Sequence, residues 1–272
     1  MHDPSDAARA VARHYTRGDL AKRLFEALDK AGKDVGRLQP EDLESIDQFH
    51  LGGRAATMEL AELAGIQQGW QVLDVGGGIG GPARALAKAL RCQVTVLDVT
   101  EEFVELGALL SERMDLAGKV HFRHGSGTDM PFPDGKFDCV WTQHSTMNIA
   151  DKERLYAEAQ RVLRRGGRLA MHEVVAGGVQ PVEYPVPWAK DASTSFLLPQ
   201  AELRAIIREA GFRELAWRDL TEQSLDWFKR APTPSLPGIG MRLLVPPEAM
   251  RNAVRNLEER RNEIVQAAFE RL

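Results

Sequence analysis

Cysteine is almost missing from this chain: Cys92 and Cys139 are the only two among 272 residues. Two thiols, each inside a strand-like stretch, exclude a disulfide framework and suit a reducing compartment. Long apolar runs are missing as well. No stretch approaches the roughly 18 residues that span a bilayer, so no membrane span is expected. The start, Met1-His2-Asp3-Pro4-Ser5-Asp6, lacks the charged-then-apolar design of a secretory signal. Charge of one sign is not in excess either. A net charge of −4 is too mild to imply a nucleic-acid partner. The seven histidines and two cysteines show no metal-ligand spacing, so no metal is expected. Together these absences predict a cytoplasmic protein. With 43% hydrophobic residues it can bury a sizeable core, as one large domain or a domain plus a cap. No internal repeat or low-complexity segment occurs.

What is present is organised around Val72-Leu73-Asp74-Val75-Gly76-Gly77-Gly78-Ile79-Gly80-Gly81-Pro82. A buried-strand pattern ends in an acid, turns through glycines and launches the alanine-rich helix that begins near Ala83. Glycine permits positive φ and lets a ligand lie against bare backbone. The N–H groups of the new helix face that turn. The stretch reads as a cofactor cradle.

Before it, residues 1–14 read as frayed, 15–31 as a helix with Leu20, Leu24, Phe25 and Leu28 at helical spacing, and 55–64 as another helix. The loop Phe49-His50-Leu51-Gly52-Gly53 lies between these helices. After the cradle, strands are expected at 93–98, 120–124, 137–142, 168–175 and 212–220, separated by helices at 101–116, 151–163 and 199–210. Helices at 221–230 and 248–261, a Pro/Gly loop at 233–240 and a final strand at 262–270 complete the reading. Repeated strand–helix alternation implies an α/β fold, a parallel sheet with helices on both faces. Ligands in such sheets sit at the carboxyl ends of the strands. Residues 1–68 are expected to form a helical cap or lid over that rim. Residues 69–272 would form the binding core, with substrate-facing insertions around 177–198 and 221–247.

Two cofactors compete for the glycine turn. Gly76, Gly78 and Gly81 satisfy G-x-G-x-x-G, and Asp98 lies twenty residues beyond Gly78, where an acid for a ribose belongs. An NAD(P)-linked oxidoreductase therefore stays open, as does a non-catalytic nucleotide-binding regulator. Asp74 points the other way. Beside a pyrophosphate it would repel, whereas beside an ammonium group it would attract. S-Adenosyl-L-methionine carries an α-ammonium and a sulfonium but no phosphate.

The stretches around Asp74–Gly81, Val96-Leu97-Asp98, Asp129-Met130-Pro131-Phe132-Pro133-Asp134-Gly135-Lys136-Phe137-Asp138 and Val162-Leu163-Arg164-Arg165-Gly166-Gly167 occur in this order. Jointly they resemble class I S-adenosylmethionine-dependent methyltransferases, nearest in look to the ubiquinone/menaquinone C-methyltransferase and sarcosine/dimethylglycine N-methyltransferase branch. The likeness covers roughly residues 45–220. It implies a Rossmann-like, doubly wound, seven-stranded, mostly parallel sheet with a reversed last strand. By position it implies that Asp74, Gly76, Gly77 and Gly78 line the methionine moiety and that Asp98 takes the ribose hydroxyls. Val99 or Thr100 would flank the adenine, Ser126 and Gly127 would meet its edge, and Gln143 would sit beside the methionine part.

His144, beyond the fourth strand, is the candidate base or orienter for an acceptor, because an imidazole can accept a proton near neutral pH. His50 is the second candidate, in a loop that could close over the site. His172-Glu173 ends the fifth strand, and alternation would point one of them inward. Met147, Tyr184, Pro187 and Trp188 could wall an acceptor pocket. The expected partner is a small-molecule acceptor methylated at O, N or C, and the oligomeric state stays open, with a homodimer among the options.

Overall fold

The computed structural model describes residues 4–43, 46–230 and 245–272. The expected Pro/Gly loop at 233–240, and much of the insertion expected around 221–247, lie outside the described residues. The chain opens with α1 (Pro4–Tyr15), α2 (Leu20–Lys30), the single turn α3 (Pro40–Leu43) and α4 (Gly53–Leu63). Then β1 (Gln71–Val75), α5 (Gly81–Leu90), β2 (Gln93–Asp98), α6 (Glu101–Arg113), β3 (Val120–His124) and β4 (Phe137–Gln143) follow in alternation. The chain continues through α7 (Lys152–Val162), β5 (Leu163–Ala176), α8 (Gln200–Glu209), β6 (Phe212–Asp219), α9 (Thr221–Arg230), α10 (Pro247–Glu258) and β7 (Asn262–Arg271). Among the described residues, no helix is long and apolar enough to cross a membrane.

The seven strands make one sheet in the order β3-β2-β1-β4-β5-β7-β6. Strands β1 to β5 pair in parallel, whereas β7 runs antiparallel to both β5 and β6. The reversed last strand follows from connectivity, since α10 delivers the chain back between two strands already laid down. Both sheet faces are covered, which is why the central strands read as apolar runs rather than alternations. On one face Leu73, Val140, Leu169 and Phe269 pack with Leu155 and Ile207 of α7 and α8. On the other, Val72, Val94, Trp141 and Ala268 pack with Leu60 and Leu86 of α4 and α5. Helix α4 is tied to the sheet directly, because the Gln266 side-chain amide donates to the Ala56 carbonyl at 3.0 Å.

Residues 4–15 are helical and not frayed. The stripe of α1 is mostly alanine, too weak to announce itself, and tertiary contacts hold the helix. Val11 is buried, the Tyr15 hydroxyl donates to Asn148 Oδ1 at 3.0 Å, and the His14 ring lies 3.3 Å from the Pro187 carbonyl. A separate apolar cluster joins Leu20, Leu24 and Leu28 of α2 to Phe103 and Leu110 of α6. Helix α2 begins at Leu20, later than Tyr15, because residues 17, 18 and 20 give their backbone N–H groups to the Glu102 carboxylate. Cys92 stands one residue ahead of β2, and both thiols are free and buried.

The β1–α5 turn is shaped by close approach. Gly76 has φ +70° and Gly80 φ +82°, and a Cβ at 76 would stand 2.5 Å from the Ser145 Cβ. A Cβ at Gly81 would collide with the Asp47 carbonyl. Gly81→Ala must therefore push the 46–49 segment off the start of α5. Overpacking of this kind costs about 1–3 kcal/mol, so thermal denaturation should show a midpoint lower by roughly 3–10 °C. An unchanged midpoint would mean that this segment yields freely.

Candidate active site

One large cavity lies at the carboxyl ends of β1, β2, β4 and β5, and the expected catalytic and cofactor-binding residues line it: His50, Asp74, Gly76, Gly77, Gly78, Asp98, Val99, Thr100, Ser126, Gly127, Gln143 and His144. Asp74 sits one residue before the end of β1, on a central strand, so its carboxyl is buried. It lies against the backbone of Gly77, where a Cβ would stand 2.5 Å from Oδ2, and that oxygen has no hydrogen-bond partner. Burial, helped by the nearby carboxylates of Asp98 and Glu173, pushes the group up from 3.8 to about 8. A buried acceptor left open in this way suits a cation.

Asp98 ends β2 and bridges two turns. Its Oδ2 accepts from the Gly78 N–H at 2.9 Å and its Oδ1 from the Thr100 N–H at 2.8 Å. Burial nevertheless holds this carboxyl above its ordinary value. Thr100 occupies the N-cap position of α6 without a side-chain capping hydrogen bond. Each Asp98 oxygen keeps a lone pair for a hydroxyl. Ser126 spends its hydroxyl within its own turn, 2.8 Å from the Thr128 hydroxyl. Gly127 is pressed against Val75 and Leu155, which leaves no room there for a Cβ.

Around Gln143 the structure builds something that sequence reasoning did not foresee. The Gln143 amide nitrogen lies 3.0 Å from His50 Nδ1 and 3.2 Å from His172 Nδ1. Its carbonyl accepts from the Thr57 hydroxyl and the Trp141 indole N–H, both at 3.2 Å. All four capacities of the amide are used. The Leu51 backbone carbonyl, 3.1 Å from His50 Nδ1, competes for that nitrogen, but the Gln48 side-chain oxygen Oε1, 2.9 Å from Nε2, favours the Nε2–H form. His144 completes the cluster, its ring centroid 4.8 Å from that of His172 and 6.2 Å from that of His50. Burial drives His50 down to about 4 and His144 to about 3, and holds His172 well below its ordinary value. All three rings are neutral near pH 7.

His144 adopts φ +49°, a conformation that costs a non-glycine residue energy. Its N–H is anchored on the His172 carbonyl at 2.8 Å, and its ring Nε2 has no partner. Both members of the His172-Glu173 pair are buried, on opposite faces of β5. Glu173 receives the N–H groups of Ser145 and Thr146, at 3.2 and 3.1 Å, and burial pushes it up to about 7. An acid between His172 and the apolar Val174-Val175, in the buried outer half of β5, is its signal in the sequence. Met147, Pro187 and Trp188 line the cavity, whereas Tyr184 packs in the apolar cluster beside it. Among the described residues, no group of three or more His, Cys, Asp or Glu could hold a metal.

The family described as a methyltransferase domain matches residues 73–171. The sarcosine/dimethylglycine N-methyltransferase of Halorhodospira halochloris is 31% identical over 225 residues, which is 80% of this chain and 77% of that protein. Sterol 24-C-methyltransferase ERG6B of Gibberella zeae is 40% identical over 114 residues, covering 42% of this chain and 30% of the fungal protein. Among solved structures, a geranyl diphosphate methyltransferase in complex with GPP and sinefungin has a TM-score of 0.71 over 98% of this chain and 100% of that one. At 19% identity that likeness bears on the fold alone. The nicotinamide alternative finds no support in these likenesses.

Proposed function

The chain belongs to the class I S-adenosyl-L-methionine-dependent methyltransferases, and on that premise we propose that it transfers a methyl group to an oxygen, nitrogen or carbon of a small-molecule acceptor. When bound, S-adenosyl-L-methionine supplies a methyl carbon made electrophilic by its sulfonium. The observation that carries the reading is the orphaned, buried Asp74 carboxyl laid on the glycine backbone, an arrangement that favours an ammonium and repels a phosphate. Asp74 with Gly76, Gly77 and Gly78 would hold the amino-acid end. Asp98 would take the ribose hydroxyls, and Val99, Thr100, Ser126 and Gly127 would surround the adenine. The chain's share of catalysis is then to align the reactants and exclude water, a contribution on the order of 7–11 kcal/mol.

We divide the chain into a cap over 1–68 and a core over 69–272, with 177–198 and 221–247 facing the acceptor. Ala8, Val11 and Tyr15 line the cavity from above, in support of a cap, while α4 packs on the sheet. A cytoplasmic enzyme without a nucleic-acid partner fits the balanced charge and the buried free thiols. Two measurements test the reading: calorimetry with S-adenosylhomocysteine against NAD, and transfer of a radiolabelled methyl group to an acceptor. Binding of NAD alone would overturn it.

His144 is the proposed orienter, with His50 held beside it. A ring titrating near 3 accepts a hydrogen bond but resists taking the proton outright. Asparagine tolerates the left-handed backbone, so His144→Asn should fold normally and bind S-adenosylhomocysteine with an unchanged constant. Turnover should fall about 10- to 100-fold. Full turnover with an identified acceptor removes the role.

A further inference from the structure

Resting on that reading, we propose that the acceptor is an uncharged, elongated and mostly apolar molecule carrying one hydrogen-bond donor for His144 Nε2 and a second polar group for Asn262 Oδ1. The floor of the chamber beyond the cofactor end is the outer part of β5 and β7. Val174 and Ile264 face it from opposite each other in the ladder. Met147, Trp188, Phe228 and Leu257 wall it. Two buried polar atoms there lack partners, His144 Nε2 and Asn262 Oδ1. His144 is anchored at the level of His172, and Asn262 pairs with Ala176. Four strand residues separate those levels, roughly 13 Å at about 3.3 Å each. An acceptor that satisfies both must be long and lie along the two strands.

The charges are placed so as to reject an ionic acceptor. At the glycine turn Asp98 lines the cavity together with Asp74, which holds its proton, and Asp47, which is paired with Arg84 at 3.2 Å, and Asp151 lines it beside the Ser126–Thr128 turn. Among the described lining residues none is lysine or arginine. The imidazoles that line the reacting end, His50 and His144, are held neutral by burial. A carboxylate, phosphate or ammonium placed against Met147, Trp188 and Leu257 would lose its hydration with nothing in return. An apolar body gains from the same walls.

The test uses the full chain saturated with S-adenosylhomocysteine and four matched probes: an α,ω-decanediol, decanol, ω-hydroxydecanoate and ω-aminodecanol. Calorimetry should rank the diol first, with both ionic probes at least about 30-fold weaker, as expected for an unpaired buried charge. Sarcosine should not bind. Asn262→Leu should erase the advantage of the diol over decanol while leaving decanol unchanged. An ionic probe that matches the diol in the unaltered protein, or a diol that fails to bind, overturns the proposal. The probe ladder in the unaltered protein decides even if a variant does not fold. Failure of S-adenosylhomocysteine itself to bind is a different result, since it removes the methyltransferase reading and not merely the acceptor class.

Discussion

Asp74→Ala should lower the affinity for S-adenosylhomocysteine by about a hundred-fold or more while leaving the fold at least as stable as before. Breaking a buried ion pair by removing one partner costs about 3–5 kcal/mol, and every 1.4 kcal/mol is tenfold. Here the cost falls on the complex alone. In the free protein the Asp74 carboxyl is buried, unpartnered at Oδ2 and crowded by Asp98 and Glu173, so nothing favourable is lost with it. Asp74→Asn keeps the shape and removes the charge, and should bind nearly as poorly.

The same carboxyl predicts two pH effects. Folded, it holds its proton to about 8, whereas unfolded it releases it near 3.8. Between those values the unfolded chain binds fewer protons at this group than the folded one, so its contribution to stability falls as pH rises from about 4 to 8. Glu173, pushed up to about 7, adds a slope of the same sign. The three histidines held neutral by burial give the opposite slope up to about 6.5, so denaturant titrations should show the decline between about pH 6.5 and 8, and Asp74→Asn should flatten it. An incoming ammonium favours the ionised carboxyl and pulls its proton off. Binding near pH 7 should therefore release a proton, visible as a dependence of calorimetric heat on the buffer's ionisation enthalpy. Heats that do not change between buffers, or alanine and native proteins of equal affinity, would contradict the role of Asp74.

Gln143→Leu should destabilise the protein by about 3–5 kcal/mol, the largest fall in stability predicted for this chain. One amide satisfies the Trp141 indole, the Thr57 hydroxyl and the Nδ1 atoms of two histidines. Leucine fills the volume but orphans the Trp141 indole and His172 Nδ1 outright and leaves the Thr57 hydroxyl only His50 Nε2 at 3.2 Å and His50 Nδ1 only the Leu51 carbonyl at 3.1 Å, and a buried polar atom left unsatisfied costs about 1–3 kcal/mol. The sum is less than four full penalties because neighbouring effects are not additive. Gln143→Glu separates this network from packing. Its carboxylate still accepts from Trp141 and Thr57, but the two histidines must present Nδ1–H and gain a counter-charge. Their titration should rise towards neutrality, as a histidine-resolved NMR titration would record. If Gln143→Leu unfolds at the native denaturant midpoint, the network is ornamental.

The turn at Asp74–Gly81 and the alternation after it were legible because each rests on local rules. A glycine turn needs positive φ, a buried parallel strand needs a short apolar run, and the dipeptide rhythm of β7 shows its period. Asp98 was legible from spacing alone. By contrast, α1 does not declare itself, since its alanine stripe is helical only through Tyr15, Val11 and what they touch. The position of Gln143 after the fourth strand points to the cofactor, but nothing in Trp141-Thr142-Gln143-His144 tells that its partners come from residues 50, 57, 141 and 172. Asn262 carries no signal of its own, because one asparagine at a strand start looks ordinary until Ala176 and the chamber are set opposite it.

By itself, then, the order of residues determined which segments become strands and helices, the glycine platform, and the acids that end β1 and β2. These depend on neighbours a few positions apart. Only the tertiary structure decided the protonation of Asp74 and the three histidines, the satisfied amide that binds them together, and the apolar length of the chamber. Burial and through-space charge set those properties, and both arise between residues far apart in the chain that meet only once the sheet has closed.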